Sequence, residues 1–261
     1  MPQQANRFAV KRLPDGRAML NLACGTRMDP RWNNLDFSPY ARLARRPWLA
    51  RLMARAGLLS HQRRERLRGV DPDIIAWDLR KGIPFADNCF NVVYHSHFLE
   101  HLDRRHATAF LKECCRVLTS GGILRVVVPD LEILVHRYLK ALGEASGGSP
   151  GAAKSHRQAV EDLFDQMVRQ EATGATEQNW FVRRLERALR GGAASTGELH
   201  RWMYDRHSLV ELFQEAGLCN AEACDCESSR VRDWKQFHLD SNADGSPYKP
   251  ESLYVEGTRQ L

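Results

Sequence analysis

Short apolar runs rich in Val, Ile and Leu alternate with amphipathic segments along the first half of the chain. Helical spacing predicts a helix over His106 to Leu118 that ends at Gly121-Gly122, a pair typical of helix C-termini. The apolar runs predict buried strands. They lie at Ala18 to Ala23, before Leu35-Asp36, and at Ile74 to Trp77, Asn91 to Tyr94 and Ile123 to Val128. Strands of this composition that alternate with helices predict a parallel sheet with helices on both faces.

The second half begins with a predicted helical insertion after the fifth strand, over 131–200, with a flexible break at Gly143 to Gly151. We expect this insertion to cap the mouth of a site on the sheet. No repeat interrupts the chain, so 1–261 is interpreted as a single domain. A further helix and two weaker strands complete it, at Ser208 to Ala216, Ala221 to Glu227 and Leu253 to Glu256.

The positive charge is concentrated in one segment. The chain carries 38 Lys and Arg against 32 Asp and Glu, but 41–70 alone holds nine Arg and a single acid, Glu65. Pro47 suits a helix start, and the apolar residues that follow recur at helical spacing. They are Leu49, Leu52, Met53, Ala56 and Leu59. This Arg-rich helical insertion is interpreted as a surface helix docked on the core, or as a site for a phosphorylated acceptor or an anionic membrane.

Composition excludes several classes of protein. With 43% hydrophobic and 27% charged residues, the chain is neither disordered nor an integral membrane protein. Met1 to Phe8 has no apolar core of a secretory signal, and seven scattered cysteines favour reduced thiols, so we expect a cytoplasmic protein. Cys219, Cys224 and Cys226 lack a C-x-x-C pair and are interpreted as packing residues. Nucleic acid is disfavoured because aromatic residues do not interleave with the arginines.

The turn after the first strand indicates the kind of ligand. Ala23 to Met28 contains one glycine, whereas a dinucleotide fingerprint needs three, so NAD and FAD are disfavoured. A ligand with a ribose but no phosphate tolerates a single glycine. Asp36, after the second strand, is available for the ribose hydroxyls.

Six segments in order make the chain resemble the class I S-adenosylmethionine-dependent methyltransferases, of the type 11 kind. They are Leu20 to Gly25, Trp32 to Asp36, Asp78 to Asp87, Phe90 to Leu102, Arg116 to Gly122 and Val127 to Asp130. His200 to Asp205 and Ser252 to Gly257 are similar to bacterial methyltransferases associated with surface polysaccharide or glycolipid assembly. The resemblance implies a Rossmann-like fold with S-adenosyl-L-methionine as the cofactor.

The resemblance also implies roles for individual residues. Ala23 and Gly25 would let the backbone approach the methionine part, and Asp36 would bind the ribose. Asp78, with the backbone of Leu79, would bind the adenine edge. The full cofactor-binding set is Asn21, Ala23, Gly25, Asp36, Asp78, Leu79, Ser96 and His97. Ala23 replaces the first glycine of the family, and Gly25 and Asp36 are so close that the helix after the first strand is short or missing.

Catalysis is expected to need a base, because a sugar or small-molecule hydroxyl is a poor nucleophile at neutral pH. His101 is the candidate base, with Asp130 as its partner; the structural alternatives are a hydrogen-bonded histidine and a helix N-cap. His200, Trp202 and Tyr204 are expected to line the acceptor side, unless Trp202 packs in the core.

Two further interpretations of the chain stay open at this point. The first is an N- or C-methyltransferase of another metabolite, and the second is a non-catalytic scaffold that binds the cofactor. The run His97 to His101 also matches the H-x-x-E-H motif of zinc proteases. Since spacing places no third ligand, we expect no metal.

Overall fold

The computed structural model describes residues 7–55, 59, 61–167 and 200–260, which contain a seven-stranded sheet of order β3-β2-β1-β4-β5-β7-β6. The strands are β1 (Met19–Leu22), β2 (Asn33–Asp36), β3 (Ile75–Ala76), β4 (Phe90–Ser96), β5 (Leu118–Pro129), β6 (Leu218–Cys224) and β7 (Ser252–Arg259). The α-helices are α1 (Pro39–Ala44), α2 (Pro47–Arg55), α3 (His61–Arg68), α4 (Arg104–Val117), α5 (Leu131–Ser146), α6 (Ala152–Met167) and α7 (Arg206–Glu215). Three 3₁₀ helices join them, η1 (Leu79–Lys81), η2 (Leu99–His101) and η3 (Trp234–Phe237).

Strands β1 to β5 are parallel, whereas β7 runs antiparallel to both β5 and β6. The predicted parallel sheet is therefore correct up to β5, and the whole sheet is mixed. With this strand order and with α5 and α6 directly after β5, the fold is the predicted Rossmann-like class I methyltransferase fold. The rest of the predicted insertion, 168–199, lies outside the described residues.

The strands separate two cores, as alternation along β4 shows. Val93 packs in the first core with apolar residues of α4 and α7. Val92 and Tyr94 point to the opposite face, where Trp234 and Phe237 of η3 cover the sheet. Successive side chains of a strand point to opposite faces, so a strand buried on both faces reads as a continuous apolar run.

The boundary between α4 and β5 differs from the sequence prediction. The helix ends at Val117, and β5 already begins at Leu118, so Gly121-Gly122 lies inside a strand instead of capping a helix. A Cβ atom on Gly122 would lie 2.8 Å from the Thr119 carbonyl oxygen and 3.2 Å from that of Asn91. The glycine is needed for this close backbone approach, where the β4–β5 register is irregular.

The Arg-rich segment forms α1 to α3 between β2 and β3. None of the α2 residues is buried, and the exposed fractions of Trp48 and Leu52 are 65% and 58%. The α2 apolar side is therefore only partly covered, with Leu49 and Met53 half-buried and outside the core. Leu59 is buried, while Ala56 lies outside the described residues. Among the described helices, none combines the length and apolar character that crossing a bilayer requires.

Candidate active site

Four parallel strands end at the same edge of the sheet and define the candidate site. Ligands of open α/β sheets bind beyond the carboxyl ends of the strands. Leu22 of β1 pairs with His95 of β4, so the turn after β1 lies beside the residues that follow β4. The sequence-predicted residues at this edge come from the ends of β1, β2, β4 and β5.

The turn after β1 is fixed by a carboxylate from β2. Ala23 and Gly25 both have positive φ, 51° and 56°. The Gly25 N–H donates to Oδ2 of Asp36 over 2.9 Å, and the Ser38 N–H donates to Oδ1 over 2.5 Å. A Cβ atom on Gly25 would meet nothing within 4 Å, so open space lies against this turn. Each Asp36 oxygen keeps a lone pair for a further donor, as binding of ribose hydroxyls requires.

Asn21 supports the same turn from inside the sheet. Its side chain is 1% exposed, and its Nδ2 donates to the Arg27 carbonyl over 3.0 Å and to Oδ1 of Asn34 over 3.2 Å. The helix between β1 and β2 is missing, as the short spacing predicts, and Asn21 holds the connecting loop instead. Its contacts are with the protein backbone and a neighbouring amide.

Asp78 is held by a neighbouring arginine. Its side chain caps η1 by accepting from the Arg80 N–H, and it forms a two-point ion pair with the Arg80 guanidinium at 2.9 and 2.8 Å. The hydrogen bonds from Arg80 lower the pKa of Asp78, so the carboxylate is charged at neutral pH. The Arg80 side chain is 73% exposed, so it can move aside when another donor approaches Asp78.

The end of β4 holds His97 in a strained position. Its φ is 51°, which is uncommon for a residue other than glycine. Nε2 lies 2.9 Å from the Ser252 hydroxyl at the start of β7, and Nδ1 lies 3.4 Å from Oε1 of Glu100. Burial lowers the pKa of His97. His97 precedes η2, so it does not share a helix face with His101 as the H-x-x-E-H interpretation requires.

His101 and His200 come together although they lie far apart in the chain. Their ring centroids are 5.0 Å apart. The segment before α7 is bound to η2 through its backbone, because the N–H groups of Arg201 and Trp202 both donate to the Glu100 carbonyl, at 2.7 and 3.2 Å. The candidate base and one predicted acceptor-side residue therefore share one cluster. Glu100, which was not singled out from the sequence, lies at its centre and is fully buried.

Asp130 follows β5 and caps α5, where its Oδ1 accepts from the Glu132 N–H over 2.9 Å. Its backbone joins the same edge, since Leu131 donates to the Tyr204 carbonyl over 3.0 Å. Burial raises the pKa of Asp130 above its usual value. The helix-cap role is present in the structure, and a role as the partner of His101 stays a prediction.

Trp202 and Tyr204 have opposite environments. Trp202 is 42% exposed, with the Arg104 guanidinium 5.9 Å from its ring, so it does not pack in the core. Tyr204 is 2% exposed and packs in the first core. Burial and the nearby charge of Glu100 raise the pKa of Tyr204. Of the two rings, only that of Trp202 is exposed to solvent, and its predicted contact with the acceptor stays a prediction.

Comparison with known proteins gives one family match. Residues 51–126 match the model of a methyltransferase domain, a stretch that runs from α2 into β5. The match covers 76 of the 261 residues, so it shows a likeness to methyltransferase domains over that stretch. The glycine turn of β1 precedes the matched residues. No curated protein matches the chain.

Solved structures give distant matches. A chain in the complex between the Haloferax volcanii Trm112 methyltransferase activator and a methyltransferase is 15% identical, with a TM-score of 0.42, over 98% of this chain and 86% of that one. A SAM-dependent methyltransferase from Archaeoglobus fulgidus is 12% identical, with a TM-score of 0.37, over 93% of this chain and 86% of that one.

Proposed function

We propose that the protein transfers a methyl group from S-adenosyl-L-methionine to a hydroxyl of a small-molecule or saccharide acceptor. One observation carries the proposal. The pairing of Leu22 with His95 sets the Gly25–Asp36 turn beside the His101 cluster, so a cofactor site and a proton-accepting site share one edge. Both sites are needed when the acceptor is a hydroxyl, since the cofactor supplies the electrophile and the protein must handle the proton.

The turn after β1 fits the methionine part of the cofactor. The open space against Gly25 admits a ligand close to the backbone, and the Ala23 methyl is the smallest side chain that can replace a glycine there. Asp36 accepts the ribose hydroxyls, while Asn21 acts through the loop that it supports. This assignment agrees with a ligand that has a ribose and no phosphate.

The adenine and sulfonium ends involve the neighbouring strands. Asp78 accepts from the adenine amino group once Arg80 moves aside, and the Leu79 backbone lies next to it on η1. Ser96 and His97 lie at the end of β4, between the cofactor turn and η2. In this arrangement Ser96 and His97 would hold the sulfonium end, next to the segment that carries His101.

His101 is the proposed base. As the acceptor oxygen bonds to the methyl carbon and the bond from that carbon to sulfur breaks, the hydroxyl proton passes to the imidazole of His101. Positioning supplies most of the remaining rate acceleration, because the leaving group is already charged. His200 and Trp202 hold the acceptor from the segment before α7, while the buried Tyr204 anchors that segment and Asp130 begins the helix beside it.

Binding and turnover test this function together. Calorimetry with S-adenosylhomocysteine should show binding that Asp36→Ala weakens by about 1–3 kcal/mol, since charged hydrogen bonds are lost. Asp73→Ala, at an exposed carboxylate, should leave that binding unchanged. His101→Ala should lower kcat by ~10²–10⁴ with unchanged cofactor affinity.

Three results would contradict parts of the proposal. Tight NAD binding without any response to S-adenosylhomocysteine would exclude the cofactor. Cofactor binding without transfer to any acceptor would favour a scaffold. Turnover on an amine or carbon acceptor, unaffected by His101→Ala, would assign an N- or C-methyltransferase.

The Arg-rich segment supports a more specific assignment within the proposal. We assign the protein to cytoplasmic bacterial enzymes of polysaccharide or glycolipid assembly, with peripheral contact to an anionic membrane or phosphorylated acceptor. Four arginines of this segment, Arg45, Arg46, Arg51 and Arg55, are exposed beside Trp48 and Leu52. Exposed basic and apolar side chains on α2 and in the turn before it favour an anionic, partly apolar surface.

A further inference from the structure

A cluster of three potential ligands, two of them buried and one half-buried, lies after the end of β4. Glu100, His101 and His200 each offer one ligand atom, and these atoms all lie within 4.8 Å of one another. Atoms bound to one Zn²⁺ at 2.0–2.2 Å are at most about 4 Å apart, so a small inward movement completes the set. We propose that these three side chains bind a single divalent transition-metal ion.

Glu100 provides the strongest evidence. Its side chain is fully buried, and no described residue donates a hydrogen bond to either carboxylate oxygen. The contact with Nδ1 of His97, at 3.4 Å, is longer than an ordinary hydrogen bond to a carboxylate. A buried carboxylate whose described polar contact is this long is costly, and a bound cation is one of the few groups that offset this cost.

His97 is bound at one ring nitrogen and faces Glu100 with the other. The Ser252 hydroxyl donates its only proton to the Lys249 carbonyl over 2.9 Å, so it accepts from Nε2–H of His97. The other nitrogen, Nδ1, faces Oε1 of Glu100 over 3.4 Å, so the carboxylate gains no short hydrogen bond from this side.

His200 is oriented as metal-binding histidines commonly are. Its Nδ1 lies 2.5 Å from the Gln166 carbonyl oxygen of α6, which can only accept, so Nδ1 carries the proton. The lone pair is then on Nε2. An outer hydrogen bond from one ring nitrogen to a carbonyl fixes the tautomer that leaves the other nitrogen for a metal.

The ligand set also indicates the kind of metal. Two imidazole nitrogens and one carboxylate suit Zn²⁺, Co²⁺, Ni²⁺, Mn²⁺ or Fe²⁺ better than Ca²⁺, which prefers oxygen ligands alone. Three protein ligands leave a coordination position open, as in catalytic sites. The sequence offered no third ligand because His200 is far from η2 in the chain, and the backbone bonds of Arg201 and Trp202 to Glu100 bring its segment there.

The metal site rests on the proposed function only for the role of the open coordination position on the ion. An acceptor hydroxyl bound to the cation there would have a lowered pKa and would lose its proton to solvent water more readily. His101 would then be a ligand instead of the base, so the two roles exclude each other in one molecule. Binding of the cation itself needs neither cofactor nor acceptor.

Cobalt binding to the full chain, without an affinity tag and after chelator treatment, tests the site directly. Titration with Co²⁺, followed by visible absorption and calorimetry, should show one equivalent bound, and Zn²⁺ should displace it. Glu100→Gln and His200→Gln should each weaken Co²⁺ binding at least about tenfold. His207→Gln, at an exposed histidine of α7, should bind like the wild type.

Folding and cofactor binding are measured on the same preparations. Zn²⁺ should raise the Tm of the wild type and not that of His200→Gln, because only binding to the folded state stabilises. Wild-type protein that binds S-adenosylhomocysteine but not Co²⁺ would overturn the metal site alone. The metal site would also be overturned if the folded wild type, Glu100→Gln and His200→Gln bound Co²⁺ equally well. Co²⁺ binding without S-adenosylhomocysteine binding would overturn only the proposed function.

Discussion

His95, in the middle of the sheet, is a titratable residue without a polar environment. Its imidazole is fully buried and packs against Phe98 and Phe110, with ring centroids 6.2 and 5.2 Å away. Burial lowers the pKa of His95 to about 3. The folded protein therefore keeps this ring neutral at pH values where an unfolded chain, with a histidine pKa of about 6.5, takes up a proton.

His95→Leu should make the protein less sensitive to acid. In the wild type, His95 contributes a loss of stability as pH falls from about 6.5 toward 3, by up to about 1.4 kcal/mol per pH unit. Urea unfolding of the variant should show a correspondingly shallower fall of the free energy of unfolding over this range. His207→Gln should retain the wild-type pH dependence, and a His95→Leu profile parallel to the wild type would contradict the assignment.

Individual residues also show how far sequence reasoning extends. The sequence correctly predicted that Ala23 to Gly25 forms a turn, because small residues directly follow an apolar strand. It could not predict that Asp36 fixes this turn, or that His200 lies against His101. Such contacts depend on which strands pair and on backbone bonds to η2, and neither leaves a local pattern. One pattern in the sequence could have drawn attention to Glu100, namely its position in the H-x-x-E-H match.

Strand β5 contributes a buried arginine that joins the sheet to the chain around η3. The Arg125 guanidinium donates to Asp240 over 2.6 Å and to Glu256 over 2.8 Å, and its Cζ lies 4.6 Å from the Trp234 ring centroid. It also donates to the carbonyls of Ser228 and Asp225. Arg125 interrupts the apolar run of β5 in the sequence, and this cluster explains why a charge is tolerated there.

Arg125→Met should lower the free energy of unfolding by about 3–5 kcal/mol at pH 7, because two buried carboxylates lose their counter-charge. Burial already raises the pKa of Asp240 in the wild type. Without the arginine, Asp240 should take up a proton more readily. The loss of unfolding free energy caused by Arg125→Met should therefore shrink as the pH falls. Urea unfolding at two pH values measures both effects. As a control, Arg104→Met replaces an exposed arginine and should change the free energy of unfolding by under about 0.5 kcal/mol. If Arg125→Met changed it as little as this control, the structural role of Arg125 would be contradicted.

The elements were predicted unequally well for physical reasons. Strands β1, β4 and β5 are buried on both faces and appear in the sequence as apolar runs. By contrast, the 225–240 chain that covers the second core has no periodic pattern, because loops and η3 bury single residues such as Trp234 and Phe237. The predicted end of the helix at Gly121-Gly122 was wrong because close backbone contact and helix capping both favour glycine.

At the scale of the whole molecule, the excess of positive charge lies in the Arg-rich segment, which begins soon after Asp36 of the proposed site. Replacement of Arg45, Arg46, Arg51 and Arg55 by Gln should abolish salt-sensitive binding to vesicles with acidic lipids, since each arginine contributes ~1 kcal/mol near such a surface. Flotation at low and physiological salt measures this. Exposed charges are screened beyond ~8–10 Å at physiological ionic strength, so wild-type binding should weaken there.

A matched variant separates this position from net charge. Replacement of the exposed Arg12, Arg105, Arg157 and Arg232 by Gln removes the same charge from other surfaces. This variant should float with vesicles like the wild type. If both four-arginine variants lose vesicle binding, or if neither does, the Arg-rich segment is not the contact surface for the membrane. If its variant floats like the wild type but has a raised KM for a phosphorylated acceptor, the segment binds the acceptor instead.

The position of β7 has a consequence for synthesis on the ribosome. β7 comes after every other strand in the chain, yet it pairs with β5 near the middle of the sheet and separates it from β6. Until β7 has emerged, β5 remains an open edge with a long row of unpaired amides, and Arg125 lacks Glu256. An exposed apolar edge of this kind invites pairing with other chains. The nascent protein therefore passes through a stage in which protection by a chaperone matters most, between the emergence of β5 and that of β7.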